Sequence, residues 1–390
     1  MKRLILILVV IGVLAGCGAP KSKQDAYKQW HRARGQVTCQ LADEQFKAGQ
    51  LDDAHEKATE ALQLDPELDA ARLLLGKVYI EQDRYLDAIN VLQELTVRQP
   101  KLPDGWYLLA VAQERSERLT DALESYNRCC ELDAINTDAI LARGEVMVAL
   151  GNVAQAREAA ESALKSHPKD PGLCEQAGRL AMMQEDYTSA AVWFQKAGDL
   201  DYRNLRYQES AALALMLDRQ HVKALSILLS LTKSADYQPS ALVHSMLGEC
   251  YLVTSRYDEA QQAFAKACEL DSLNPRHWCN AARAAMEAGD FAQAALDSGE
   301  ALRLESYHHD ASMLYGYALI RQGQTQQSLT FLRQAVRVHP DSGDLRCLLG
   351  RAYETTGDRS QAVNCYNQAV GMEPANNLAK QLLASANTTH

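Results

Sequence analysis

Apolar residues return along most of this chain at intervals of three and four, in blocks separated by short polar breaks. Between residues 241 and 274, Leu247, Gly248, Tyr251 and Leu252 share one helical face. After a break at 254–256, Ala260, Ala263, Phe264 and Ala267 share another. Each block is predicted as an amphipathic helix with one apolar stripe, and the two together as a helical hairpin. Gly248 and Ala260 are small where two helices approach closely, and Tyr251 and Phe264 fill the volume beside them. One such hairpin cannot bury its own core.

Its neighbours are copies. From Gly248, one step of 36 residues and then steps of 34 lead back to Ala212, Gly178, Gly144, Ala110, Gly76 and Ala42. Steps of 34 lead forward to Ala282, Gly316, Gly350 and Ala384. A second series runs through Ala54, Ala88, Ala122, Ala156, Ala190, Ala224, Ala260, Ala294, Ser328 and Ala362, with a larger filler four residues later in most copies (Leu92, Tyr126, Phe194, Leu228, Leu332, Tyr366). Pro66, Pro100, Pro168, Pro340 and Pro374 fall at one common place, where each would end a second helix. A fixed period of this length indicates stacked repeats.

These residues resemble the tetratricopeptide repeat family over ten copies spanning 35–376: 35–68, 69–102, 103–136, 137–170, 171–204, 205–240, 241–274, 275–308, 309–342 and 343–376. The resemblance implies an all-α fold, a right-handed α-solenoid of about ten hairpins, in which each hairpin covers the open apolar face of the one before. Residues 377–390 read as a capping helix and tail, with Leu378, Leu382, Leu383 and Ala384 facing the last repeat. The longer step between Ala212 and Gly248 places two extra residues near Pro239. It is expected as a longer loop, or as a hinge between arms 35–238 and 241–376.

The start of the chain has another character. Lys2 and Arg3 precede an apolar run from Leu4 to Leu14, too short to span a bilayer, which takes about 20 residues. Leu14-Ala15-Gly16-Cys17 resembles a bacterial lipoprotein cleavage motif, which implies a signal peptide over 1–16 and lipidation of Cys17. Gly18 after the cysteine resembles the sorting class of the outer membrane. The implied localisation is the cell envelope, lipid-anchored, on the outer membrane facing the periplasm. Residues 17–34 form a tether and leader carrying Lys21, Lys23, Lys28, Arg32 and Arg34 against Asp25 alone, with Tyr27 and Trp30 beside them. That composition suits contact with anionic head groups or a solvated helix entering the first repeat. From residue 35 onward 33 basic side chains face 49 acidic ones. Such a body argues against nucleic acid as a partner, since backbone binding needs clustered Lys and Arg.

Candidate chemistry is sparse. Apart from Cys17 there are nine cysteines, none in C-x-x-C spacing. They read as small apolar residues, with Cys250 and Cys279 as the pair to inspect for a disulfide. His308 and His309 read as a solvated turn. No zinc-hydrolase, nucleophile-elbow or phosphate-loop motif occurs. The chain is therefore expected to need no cofactor or metal, and nothing points to an enzyme.

What remains is the groove. In the family, positions two, five, nine, twelve and thirteen of each copy line it. Here this implies Tyr107, Arg179, Met182, Met183, Met216, Leu217, Leu252 and Val253, then Arg283, Tyr317, Arg321 and Arg351: an apolar middle with a basic end. The carboxylate clamp of the family's cochaperones is missing, because Cys39, Asp43 and Leu74 occupy its places. The expected function is a membrane-anchored scaffold that binds segments of other envelope proteins, in pilus, secretion or envelope assembly. The alternative is a periplasmic transport chaperone for exported polypeptide or polysaccharide precursors.

Overall fold

A computed structural model describes residues 22–234 and 237–388. The signal segment 1–16, Cys17, the first residues of the tether and the last two residues of the tail lie outside the described residues. Among those described there are twenty-one α-helices and no strand, so the chain is all-α, as expected. They group into two compact units, one ending at Glu185 and one beginning at Asp186. The two extra residues near Pro239 therefore lie inside the second unit, not at the boundary. No described helix is long and apolar enough to cross a membrane.

The first unit contains α1 (Lys23–Lys47), α2 (Leu51–Leu64), α3 (Asp69–Glu81), α4 (Tyr85–Arg98), α5 (Pro103–Arg115), α6 (Leu119–Leu132), α7 (Thr137–Ala149), α8 (Val153–Ser166) and α9 (Pro171–Met183). Consecutive helices pack in sequence order, and first helices also touch the first helix of a following repeat. α1 is longer than the rest because the leader is not a separate tether. Its helix begins at Lys23, capped by the Ser22 hydroxyl accepting from the Asp25 amide at 3.1 Å, and runs unbroken into the first repeat.

The small-residue series explains the hairpins. A Cβ on Gly76 would stand 2.5 Å from the Leu92 side chain, so only hydrogen fits where the helices cross. Gly144 departs from this scheme. Its filler position holds Ala160, and the space is taken by Gln176 of the next repeat, whose Nε2 would lie 2.5 Å from an added Cβ and donates to the Leu141 carbonyl at 2.7 Å.

The second unit contains α10 (Tyr187–Leu200), α11 (Arg206–Leu217), α12 (His221–Thr232), α13 (Ala241–Val253), α14 (Tyr257–Leu270), α15 (Pro275–Glu287), α16 (Phe291–Leu304), α17 (His309–Arg321), α18 (Thr325–Val338), α19 (Gly343–Thr355), α20 (Arg359–Met372) and α21 (Asn377–Thr388). Cβ atoms on Gly248, Gly316 and Gly350 would meet Phe264, Leu332 and Tyr366 at 2.7, 2.5 and 2.5 Å. α21 packs on the last repeat through buried Ala379 and Ala386 with Leu382 and Leu383 beside them, whereas Ala384 is exposed. The expectation fails for Ala384, and for Leu378 at 52 % exposure, because α21 turns Ala379, Leu382, Leu383 and Ala386 toward the repeat instead. The extra loop is fastened by the Tyr237 hydroxyl, which donates to Glu209 of α11 at 2.6 Å.

The turn inside each hairpin repeats as well. One residue with positive φ recurs at Gly49, Asp83, Glu117, Gly151, Glu185, Arg219, Ser255, Gly289, Gly323 and Gly357. In most of these turns the amide three residues past the helix closes a tight bond onto its last turn, as Arg84 does to the Tyr79 carbonyl at 2.8 Å. Five of the ten are not glycine, which hid the regularity from a reading by residue type.

Candidate binding groove

Along the second unit, the first helices α11, α13, α15, α17, α19 and α21 bear three clefts. The first, of ≈ 290 Å³, is lined by Met216, Leu217, Leu242, Met246 and His277 among others. Its wall is cross-tied: Ser245 Oγ lies 2.8 Å from His277 Nδ1, joining α13 to α15, while His277 Nε2 faces Asn274 Nδ2 at 3.3 Å and the Asp271 carboxylate at 3.5 Å. The second, of ≈ 260 Å³, is lined by Leu252, Val253, Glu249, Glu287 and Arg283. The third, of ≈ 300 Å³, draws Met286 from α15, Met313 and Tyr317 from α17, Leu348 and Arg351 from α19, and Leu382 from α21.

The basic end has a definite geometry. Arg321 Nη1 donates to the Tyr317 hydroxyl at 2.9 Å, and its guanidinium lies 4.1 Å from the Phe291 ring centroid. Arg351 approaches the same Tyr317 ring at 5.7 Å. Two guanidinium groups thus share one phenol, and neither of them, nor Arg283, forms an ion pair among the described residues. Cation–π contacts orient these groups but leave their charge uncompensated.

The remaining expected residues divide by unit. Tyr107 is half-buried with its ring 6.1 Å from Tyr126, so it packs the helix layer, and burial raises its phenol pKa. Arg179 is exposed but held by Glu145 through two bonds of 3.0 and 3.1 Å. Met182 is half-buried and Met183 exposed. In the second unit Leu217 is exposed, Leu252 half-buried and Arg283 exposed, whereas Met216 is only 8 % exposed. Met216 therefore forms the floor of the first cleft rather than a contact surface, because it turns inward alongside Met246. Leu242, 55 % exposed at groove position two of its copy, was missed. The same positional rule would have found it.

The histidine turn differs from expectation. His308 caps α17, its Nδ1 accepting from the Ala311 amide at 3.4 Å and lying 3.9 Å from Cys279 Sγ. His309 bonds Ser342 at 2.9 Å and packs edge-on against His339. Both are half-buried structural groups, not a solvated loop. The nine cysteines are free thiols, and all but Cys130 are buried. Cys250 and Cys279 are accordingly not joined. Burial pushes Cys250 up to about 12 and Cys279 up to about 11, so neither is a thiolate near neutrality. At the places of the cochaperone clamp, Cys39 and Leu74 are buried in the core. Among the described residues no group of three or more His, Cys, Asp or Glu could hold a metal ion.

Family models, all described as tetratricopeptide repeat, match residues 45–112, 103–136, 137–180, 241–272, 279–344 and 319–386. The chain belongs to the tetratricopeptide repeat family. Among curated proteins this repeat chain is 25 % identical to human "Protein O-mannosyl-transferase TMTC3" over 232 residues, 57 % of this chain. It spans a quarter of that relative's length. Similar solved structures include a tetratricopeptide repeat protein from Parabacteroides merdae (16 % identity, TM-score 0.44, covering 65 % of this chain and 98 % of that one). Another is the APC/C hetero-tetramer Cut9–Hcn1 (16 % identity, TM-score 0.45, covering 98 % and 81 %). Membership in this family makes the chain a protein-interaction scaffold.

Proposed function

We propose that this repeat protein is a lipid-anchored scaffold of the cell envelope that holds a segment of a partner protein along the first-helix face of its second unit. One observation carries the reading: the cluster of Tyr317, Arg321 and Arg351, whose cations have no acidic partner in a chain with an excess of acidic residues. Next to it lie clefts with flexible methionine and leucine walls, which adapt to apolar anchors. A segment with apolar side chains followed by an acidic flank complements both. The lipoprotein-like residues around Cys17 support the anchor, and assembly of pilus, secretion or other envelope machinery is the role that such an anchor and groove would serve.

The test is cross-linking and capture with the full-length protein in its membrane, repeated with Arg321→Glu and Arg351→Glu combined. A stoichiometric envelope partner lost on that double substitution supports the scaffold. Recovery of a spread of unfolded exported chains, indifferent to the substitution, refutes it in favour of a transport chaperone. Fatty-acid labelling that persists in Cys17→Ser would refute the anchor.

A further inference from the structure

A cleft of ≈ 640 Å³ lies on the other helix layer of the second unit, between α14 and α16, with α15 as its floor. It is separate from the first-helix clefts, and its chemistry is opposite. Its lining includes Asp290, Asp297 and Glu269, the indole of Trp278, the amide of Gln293 and the thiol of Cys268.

Asp297 is the anomaly. It stands three residues after Ala294 in the small-residue series. The same place in other copies holds Val91, Ala159, Trp193, Ile227, Ala263, Phe331 and Cys365, with Lys57 and Ser125 in the remaining two, and in none of them an acid. Most copies place an apolar side chain there, and this copy supplies a carboxylate that is only 7 % exposed. Gln293 Nε2 donates to Oδ1 at 2.8 Å, but no hydrogen bond reaches Oδ2 and no cation pairs with the group among the described residues. On α14, Lys266 is engaged by Glu269 at 2.6 Å. A buried carboxylate without a counter-charge is costly. Desolvation accordingly pushes Asp297 up to about 6, opposed by the Gln293 bond and reinforced by the charge of Asp290. The copy also holds Ser298 at the filler place, its hydroxyl turned back to the Ala294 carbonyl at 2.6 Å. Both departures from the repeat fall in one copy, beside one cleft.

We propose that this cleft binds an alkylammonium group, with Asp297 as its counter-ion, Asp290 at its mouth and the Trp278 indole as its wall. A primary ammonium on a methylene chain matches each part: charge for the buried carboxylate, hydrogen-bond donors for Oδ2, and an apolar stem and cation for the indole. The indole is fixed for this role by its Nε1 donating to the Ser272 carbonyl at 2.9 Å. The ammonium could belong to a free diamine or to a lysine side chain of a bound protein.

Calorimetric titration of the full chain decides it, with putrescine and with a short lysine-containing peptide as separate probes. At least one is expected to saturate at one equivalent and to weaken tenfold or more in Asp297→Ala and in Asp297→Asn, while Asp258→Asn, the same charge removed from an exposed helix start, changes affinity less than twofold. Saturation by putrescine alone assigns a free amine, and by the peptide alone a partner's side chain. The midpoint of thermal unfolding of Asp297→Ala is expected to equal or exceed that of the wild type. No saturable binding of either probe, equal affinity in the Asp297 variants, or a lower midpoint in both variants overturns the proposal.

Discussion

The two units are built on one 34-residue frame, yet particular arginines in each meet different partners. In the first, Arg72 is paired with Asp69 and Glu94, Arg98 with Asp69 and Glu67, and Arg179 with Glu145. Three of these pairs, Arg72–Glu94, Arg98–Asp69 and Arg179–Glu145, join two helices and spend the charge inside the structure. In the second, Arg283, Arg321 and Arg351 stand on first helices with aromatic or amide contacts and form no ion pair among the described residues. The repeat dictates where a side chain stands; whether its charge is answered by the same chain is free to vary. Under the proposed function, that freedom is what would turn one stretch of a uniform stack into a recognition surface.

Reversing charge tests the contrast most severely. Arg321→Glu with Arg351→Glu should cost about 2–4 kcal/mol of partner affinity, as expected for arginines central to an interface. Arg179→Ala in the first unit should cost less than about 1 kcal/mol, the scale of an exposed ion pair. Equal losses in a binding titration would erase the distinction between the units.

Packing gives the next contrast. Gly248→Ala drives a methyl onto the Phe264 ring, 2.7 Å away. The overpacking costs about 1–3 kcal/mol against a gain of about 1 kcal/mol in helix propensity, a net loss by denaturant unfolding. Gly144→Ala meets only the tip of Gln176, which can swing away. The lost bond to Leu141, about 1 kcal/mol, roughly cancels the propensity gain, so this variant should unfold near the wild-type midpoint. The smallest effect lies in the turns. Glu117→Gly relieves a left-handed residue at φ 61° and should raise stability by about 0.5 kcal/mol. Gly151→Ala should lower it by about 1 kcal/mol.

The frame was legible because close helix crossings leave a mark that cannot be disguised: only Gly, Ala or Ser stands where a side chain would strike Leu92 or Phe264. The turns were less legible, since the left-handed conformation at Asp83, Glu117 and Ser255 is imposed by the helices on either side and not by residue type. The groove was legible by position but not by orientation. Met216 and Leu217 are adjacent, yet one is floor and the other rim, a difference set by how α11 meets α13. The role of Asp297 was invisible to a search for motifs. It shows only when the copies are compared with each other and the cleft beside it is seen.

The buried thiols have a consequence for how the protein is made. Cys129, Cys250 and Cys268 are each pushed up to about 12 by burial, and Cys347 and Cys365 to about 11. In the finished stack these sulfurs are shut away from oxidants, with Cys130 alone half-buried among the described cysteines. A nascent chain has no such shelter, and in an oxidising compartment each unstacked hairpin that carries a cysteine would offer its thiol for mispairing. In such a compartment speed of assembly would serve as the antioxidant, and the short-range contacts of a repeat array, which close loops of only about 34 residues, are the kind that form fast.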